Sequence, residues 1–218
     1  MDTEIITNYL PVETYQQFIE AVAALSAIDV RPDRMKYHYA FTVMSRVEMC
    51  ISYLNIHSTC PYTEEDLLSF MMYSCMLIDS IKLIFKEFGI ESPEPTLRYF
   101  KDACLRNALF TDEKKYPTDD KFFEYFRSLT FAHPLDTSRA KFLEKGERHF
   151  SPWVTVNHVP DILDDDVVGA RVYSNKHDRI ISFEFQFDSL KTYVKAKYND
   201  LNLATEWARS IVETKMKK

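Results

Sequence analysis

The sequence predicts a mainly α protein: a helical bundle with a small antiparallel β-sheet inserted near the C-terminus. Three observations carry that prediction. Through the first two thirds of the chain, apolar residues recur at steps of three and four, the repeat of helices with a buried stripe. Near the C-terminus, Ile181, Phe183, Phe185 and Phe187 alternate with Ser182, Glu184 and Gln186, the repeat of a half-buried strand. Glycine occurs only at Gly89, Gly146 and Gly169, too rarely for a hairpin-dense all-β fold or a glycine-rich phosphate loop.

The elements follow in order. Phe18, Val22 and Leu25 place one stripe on a helix over 12–28. Asp33 is a candidate cap for a second helix reaching about His57, with Tyr37, Phe41, Met44, Val47, Ile51 and Leu54 on its apolar face. Thr63 with Asp66 forms a variant of the capping box at the head of a third helix, and Gly89 is a suitable stop. That helix is apolar on several sides, as expected of a central helix or one at a subunit interface. ESPEP (91–95) reads as a linker and Thr96 to Leu109 as a shorter helix. After the polar loop TDEKKYP (111–117), Thr118 caps a helix with Phe122, Phe123, Tyr125, Phe126 and Leu129 as its apolar surface. It ends near His133, because Pro134 biases its predecessor out of helical geometry. Asp136 is a candidate cap for a short helix to Gly146. Strands are expected at 153–156, 167–173 and 181–187, with SNKHD (174–178) turning between the last two. From Asp188 the chain returns to helix, broken near Asn199–Asn202.

A chain of 218 residues suits a single domain, with a helical core over about 12–146 and 188–216 and a β insert over about 151–187. At 46% hydrophobic and 14% aromatic residues it fills a core without covalent staples. Cys50, Cys60, Cys75 and Cys104 include no CxxC pair, and Cys50 and Cys75 sit in apolar helical patterns; a reducing, cytoplasmic setting without disulfides is expected. The opening MDTEIITNYL has neither a basic n-region nor a long apolar run, so no secretory signal is expected. The most apolar stretch, Leu67 to Ile78, is too short and interrupted for a membrane span. A formal charge of −6 does not announce a nucleic-acid binder, yet a local basic patch on an acidic protein suffices for an RNA target.

The segment that carries chemistry is FFEYFRSLTFAHPLDTSR (122–139). An aromatic amphipathic helix leads into Arg127, five mostly apolar or small residues follow, and His133 precedes a proline. This resembles the Arg-x(4–6)-His signature of the HEPN superfamily, a group of helical, dimeric ribonucleases. The same spacing occurs at Arg31/His38 and Arg171/His177, but the first begins in a proline-containing loop and the second crosses a hairpin turn. Six steps of an ideal helix rotate by about 240°. Arg127 and His133 therefore converge only if the helix is bulged or ends between them.

The resemblance implies metal-independent cleavage of RNA through attack of the ribose 2′-OH, with no cofactor and no metal. An imidazole suits the proton transfers and a guanidinium the phosphate charge. It also implies a homodimer whose two motifs line one cleft, and a defence- or toxin-type role restrained by an inhibitory or activating protein partner. The chain departs from the family pattern at Ser128, where Asn, Asp or His is common; a serine still hydrogen-bonds phosphate or water. Asp79 is a candidate auxiliary carboxylate to orient the histidine, or a member of a polar stripe. Arg139, Lys141, Lys145 and Arg148 are candidate RNA-backbone contacts, or a solvated face shared with Glu144 and Glu147. Asp164, Asp165 and Asp166 lack a histidine at ligand spacing and read as an acidic turn. Trp153 and the Phe-rich strand have the composition of base-stacking sheets, although alternation buries one face. The competing functional reading is a non-catalytic dimerisation or protein-binding module, in which Arg127 and His133 play structural roles at a helix end and the sheet is the recognition surface.

Overall fold

A computed structural model describes residues 8–28, 35–134, 136–138, 140, 142–157, 166–178 and 180–217. The architecture is mainly helical with a small antiparallel sheet near the C-terminus. The helices are α1 (Val12–Ile28), α2 (Met35–Ile56), α3 (Glu64–Phe88), α4 (Lys101–Arg106), α5 (Asp119–Arg127), α6 (Phe187–Asn199) and α7 (Leu201–Met216). The strands β1 (His149–Asn157), β2 (Val167–Ser174) and β3 (Ile180–Gln186) pair in the order β1-β2-β3.

The chain divides into two compact units. The first comprises residues 1–58, 73–93 and 194–218. In it α1 packs on α2 and α7. The predicted stripe of α1 is buried at Phe18, Val22 and Leu25, and that of α2 at Tyr37, Met44, Val47, Ile51 and Leu54. Two polar side chains fix where α1 begins. Asn55 pairs with the backbone of Leu10, accepting its N–H at 2.7 Å and donating to its carbonyl at 3.0 Å. The buried Tyr198 hydroxyl donates to the Pro11 carbonyl at 2.6 Å and accepts the Tyr15 N–H at 3.1 Å, satisfying one of the orphan amides of the first turn. The predicted Asp33 cap lies outside the described residues.

The capping box of α3 is present: the Thr63 N–H donates to Asp66 and the Asp66 N–H to the Thr63 hydroxyl, each at 3.1 Å. At its other end Gly89 takes φ +66°, and the Ile90 N–H reaches the Phe85 carbonyl at 2.8 Å, the left-handed closure that glycine adopts without strain. α3 is the one helix among the described residues long and apolar enough to cross a membrane, and more than half of that stretch is buried within the protein. The four cysteines are free and buried.

The second unit comprises residues 59–72 and 94–193. The inner face of its sheet presents Val168, Ala170, Val172, Phe183 and Phe185 to an aromatic core. Phe122 and Phe126 of α5 meet Phe185 edge-on, with ring centres 5.2 and 4.9 Å apart. β2 and β3 approach closely at Gly169, where any Cβ would run into the Phe183 carbonyl oxygen. The outer edge of β3 is partly closed by Asn107, which donates to the Glu184 carbonyl at 2.8 Å and accepts its N–H at 3.2 Å.

Three expectations are corrected. The helix expected from Thr96 to Leu109 is confined to Lys101–Arg106. The buried Asp119 carboxylate accepts the N–H groups of Arg98, Tyr99 and Phe100 at 2.8, 3.0 and 3.0 Å, which satisfies them without a helical turn. The short helix expected from Asp136 to Gly146 is absent among the described residues, because Thr137 bridges to His149 and Gly146 turns at φ +76°. Phe187, read as the last strand residue, opens α6 instead, its N–H held by the Asp166 carbonyl at 2.9 Å.

Candidate active site

The candidate residues Arg127, Ser128 and His133 sit where α5 gives out. Thr118 caps the helix, its hydroxyl accepting the Lys121 N–H at 3.4 Å, and Phe122, Tyr125 and Phe126 fasten it to the core. Beyond Arg127 the backbone widens into a π-helical turn over Ser128–Ala132, closed by the His133 N–H on the Ser128 carbonyl at 3.0 Å. Local sequence explains the widening. The Ser128 hydroxyl donates to the Glu124 carbonyl at 2.9 Å, and Thr130 donates to those of Phe126 and Arg127 at 3.0 and 3.2 Å. Such back-bonding competes with the helical ladder. Pro134 then ends it, leaving His133 at φ −147° and ψ 54°. The helix is therefore both bulged and terminated between Arg127 and His133, the condition under which the two side chains escape the rotation of an ideal helix.

His133 is exposed, and its imidazole has no hydrogen bond or ion pair among the described residues. Its backbone is held instead. The His133 carbonyl accepts from the Asp136 N–H at 3.1 Å and the Thr137 hydroxyl at 2.9 Å. The Pro134 carbonyl accepts the Ser151 N–H of β1 at 2.6 Å, and Thr137 and His149 exchange two backbone bonds at 2.8 and 3.0 Å. Arg127 is half-buried, with its guanidinium 5.9 Å from the centre of the Phe131 ring. Ser128 is half-exposed with its hydroxyl proton committed to the helix, so it is available only as an acceptor.

The remaining candidates are placed less uniformly. Arg148 is exposed and 3.8 Å from Asp136, in the loop that follows His133. Arg139 and Lys141 lie outside the described residues, as do Asp164 and Asp165. Asp79 is exposed on α3, in the part of that helix that belongs to the first unit. No group of three or more His, Cys, Asp or Glu side chains among the described residues is disposed to hold a metal ion.

Close to this helix end lies a buried polar network that sequence reasoning missed. The Tyr125 hydroxyl is 2.7 Å from Nδ1 of His149, and Nε2 of His149 is 2.8 Å from the Glu147 carboxylate. Ser174 donates to the same carboxylate at 2.8 Å, and the Glu144 N–H donates to its other oxygen at 2.9 Å. A carboxylate only accepts, so Nε2 carries the proton, and Nδ1 accepts from Tyr125. Burial pushes the His149 pKa below its ordinary value and outweighs the opposing pull of Glu147. Burial also works against the Glu147 charge, but the Glu144 amide, Ser174 and His149 together hold its pKa at about 2. Burial and the nearby carboxylate push the Tyr125 hydroxyl well above its ordinary range. Every polar group in the network is satisfied with neutral His149 and ionised Glu147, so it fastens α5 to β1 and to the loop between them. Its sequence signal was Glu147-x-His149 entering a strand, where alternate residues share a face.

No protein-family model, curated protein or solved structure matches the chain.

Proposed function

We propose that the protein is a HEPN-like, metal-independent endoribonuclease whose reacting groups are His133 and Arg127. The observation that supports this reading is the π-helical turn between them, which interrupts the regular rotation of an ideal helix. It leaves an unengaged, exposed imidazole on a backbone fastened to β1.

The chemistry is an internal transesterification. The 2′-oxygen of a ribose attacks the adjacent phosphorus as its proton passes to a base, and the bond from phosphorus to the 5′-oxygen breaks. That oxygen leaves as a hydroxyl after accepting a proton, and the upstream fragment keeps a 2′,3′-cyclic phosphate. Imidazole exchanges protons near neutral pH and serves either transfer. Arg127 places a permanent charge for the phosphate oxygens, whose negative charge grows in the transition state. Two copies of the motif, one from each subunit of a homodimer, provide one base and one acid. A partner protein that covers or separates the motifs would restrain the activity, as a defence or toxin-type role requires.

The test incubates purified protein and its His133→Ala variant with total RNA in EDTA. Cleavage by the wild type, reduced at least about a hundredfold in the variant, is expected. Equal cleavage by both proteins, or cleavage abolished by EDTA, would reject this assignment. An Arg127→Ala/His133→Ala protein that retains full biological activity would move the function to partner binding.

A further inference from the structure

We propose that the solvent-facing side of the sheet is a stacking platform for unpaired bases of single-stranded RNA, centred on Trp153 and Tyr173 with Arg171 beside them. The proposal rests on the reading of RNA as the ligand. It adds where the strand is held before it reaches His133.

The platform depends on an irregularity in β1. Phe150 pairs with Tyr173 and Trp153 with Arg171, so three steps along β1 match two along β2. The extra residue is a β-bulge at Ser151–Pro152, where a proline is tolerated on an edge strand. In a regular strand, residues three apart face opposite ways. The bulge restores Phe150 and Trp153 to one face, shared with Tyr173 and Arg171, which are two apart on β2. Phe150 and Tyr173 stack with ring centres 5.5 Å apart and planes within 11°, and Trp153 lies 6.4 Å from Tyr173. The indole is 54% exposed, a large apolar surface that folding leaves uncovered, while the Phe residues of β3 face the core.

Charge and position favour RNA as the occupant. Arg171 is exposed and has no ion pair or hydrogen bond among the described residues. Its guanidinium is available to a phosphate or the face of a base. An indole beside a tyrosine ring and an uncommitted arginine suits bases that stack without pairing. The platform also adjoins the candidate active site. Ser151, whose N–H holds the Pro134 carbonyl next to His133, is two residues from Trp153, and its hydroxyl donates to the Trp153 carbonyl at 2.9 Å. A base seated on Trp153 would thus lie on the strand that holds the backbone next to His133.

Binding is separated from cleavage by working in the His133→Ala background. Affinity for a fluorescein-labelled single-stranded RNA of mixed sequence is measured by anisotropy, with the same RNA in duplex form for comparison. Trp153→Ala is expected to weaken single-strand binding about tenfold or more, with Trp153→Phe restoring most of it. Arg171→Ala is expected to weaken binding and to flatten its salt dependence. In a Trp207→Phe protein, the remaining Trp153 fluorescence is expected to be quenched on binding. Unchanged affinity in Trp153→Ala, with thermal stability retained, overturns the platform. It does so without touching the nuclease reading if wild-type protein still cleaves. RNA binding through Trp153 without cleavage keeps the platform and rejects the nuclease. Loss of a homodimer in Trp153→Ala, with RNA affinity intact, identifies the face as a subunit contact and overturns the proposal.

Discussion

The two compact units are held together by different means. In the first, one apolar stripe per helix accounts for α1 and α2, and polar side chains such as Asn55 and Tyr198 only mark where a helix starts. In the second, polar side chains decide the backbone itself. Asp119 draws three amides out of a helix, Ser128 and Thr130 widen the end of α5, and the Tyr125–His149–Glu147 network secures the loop that follows His133. A stripe tolerates variation in detail, whereas a buried carboxylate or imidazole fixes one geometry, because each unmet hydrogen bond costs free energy.

Substitutions that act on one unit's means of support sharpen the contrast. Phe18→Ala, which empties a fully buried site on α1, is expected to cost about 3–5 kcal/mol in chemical denaturation, with an unchanged dependence on pH. Asp119→Ala is expected to cost roughly 3 kcal/mol by stranding three backbone N–H groups. It should also raise hydrogen exchange at residues 98–100, and unchanged exchange there would deny the carboxylate its organising role. Tyr125→Phe is smaller, about 1–2 kcal/mol, since it leaves Nδ1 of His149 without a donor. Thr63→Ala, which removes one half of the α3 capping box, is expected to cost about 1 kcal/mol and no RNA cleavage.

The same network makes stability depend on acid. Folded His149 resists protonation below its ordinary pKa of 6.5, so the unfolded chain takes up a proton first. Stability is full above that value and falls as the pH drops through it toward the lower folded pKa. A second loss follows as the pH falls from 4.5 toward about 2, where folded Glu147 finally protonates. Thermal melts between pH 8 and 3 are expected to show both losses, and His149→Gln to remove the first. A His149→Gln protein with the wild-type profile would contradict a buried neutral imidazole.

What the sequence made legible divides along the same line. The stripe of α1, the Thr63–Asp66 box and the alternation of β3 are local patterns with one structural solution each, and all appear where expected. The end of the fifth predicted helix was legible from Pro134, but its π-helical form was not. That form depends on which carbonyls the Ser128 and Thr130 hydroxyls occupy. The non-helical 96–100 segment was hidden because its partner, Asp119, is some twenty residues away in the chain. The first strand, expected at 153–156, begins at His149, and the bulge between Phe150 and Trp153 was hidden because nothing local announces it except Pro152. The Tyr125–His149–Glu147 network was hidden for the same reason as the 96–100 segment, since Tyr125 and His149 lie 24 residues apart in the chain.

The most direct test of the central claim is the chemical nature of the ends. Mass spectrometry of the fragments released from a defined single-stranded RNA by wild-type protein in EDTA is predicted to show 2′,3′-cyclic phosphates paired with 5′-hydroxyls. Those products are expected to be absent with His133→Ala. Fragments ending in a 3′-hydroxyl and a 5′-phosphate would mean that water, not the ribose 2′-oxygen, attacked the phosphorus, and would contradict the role assigned to His133 and Arg127.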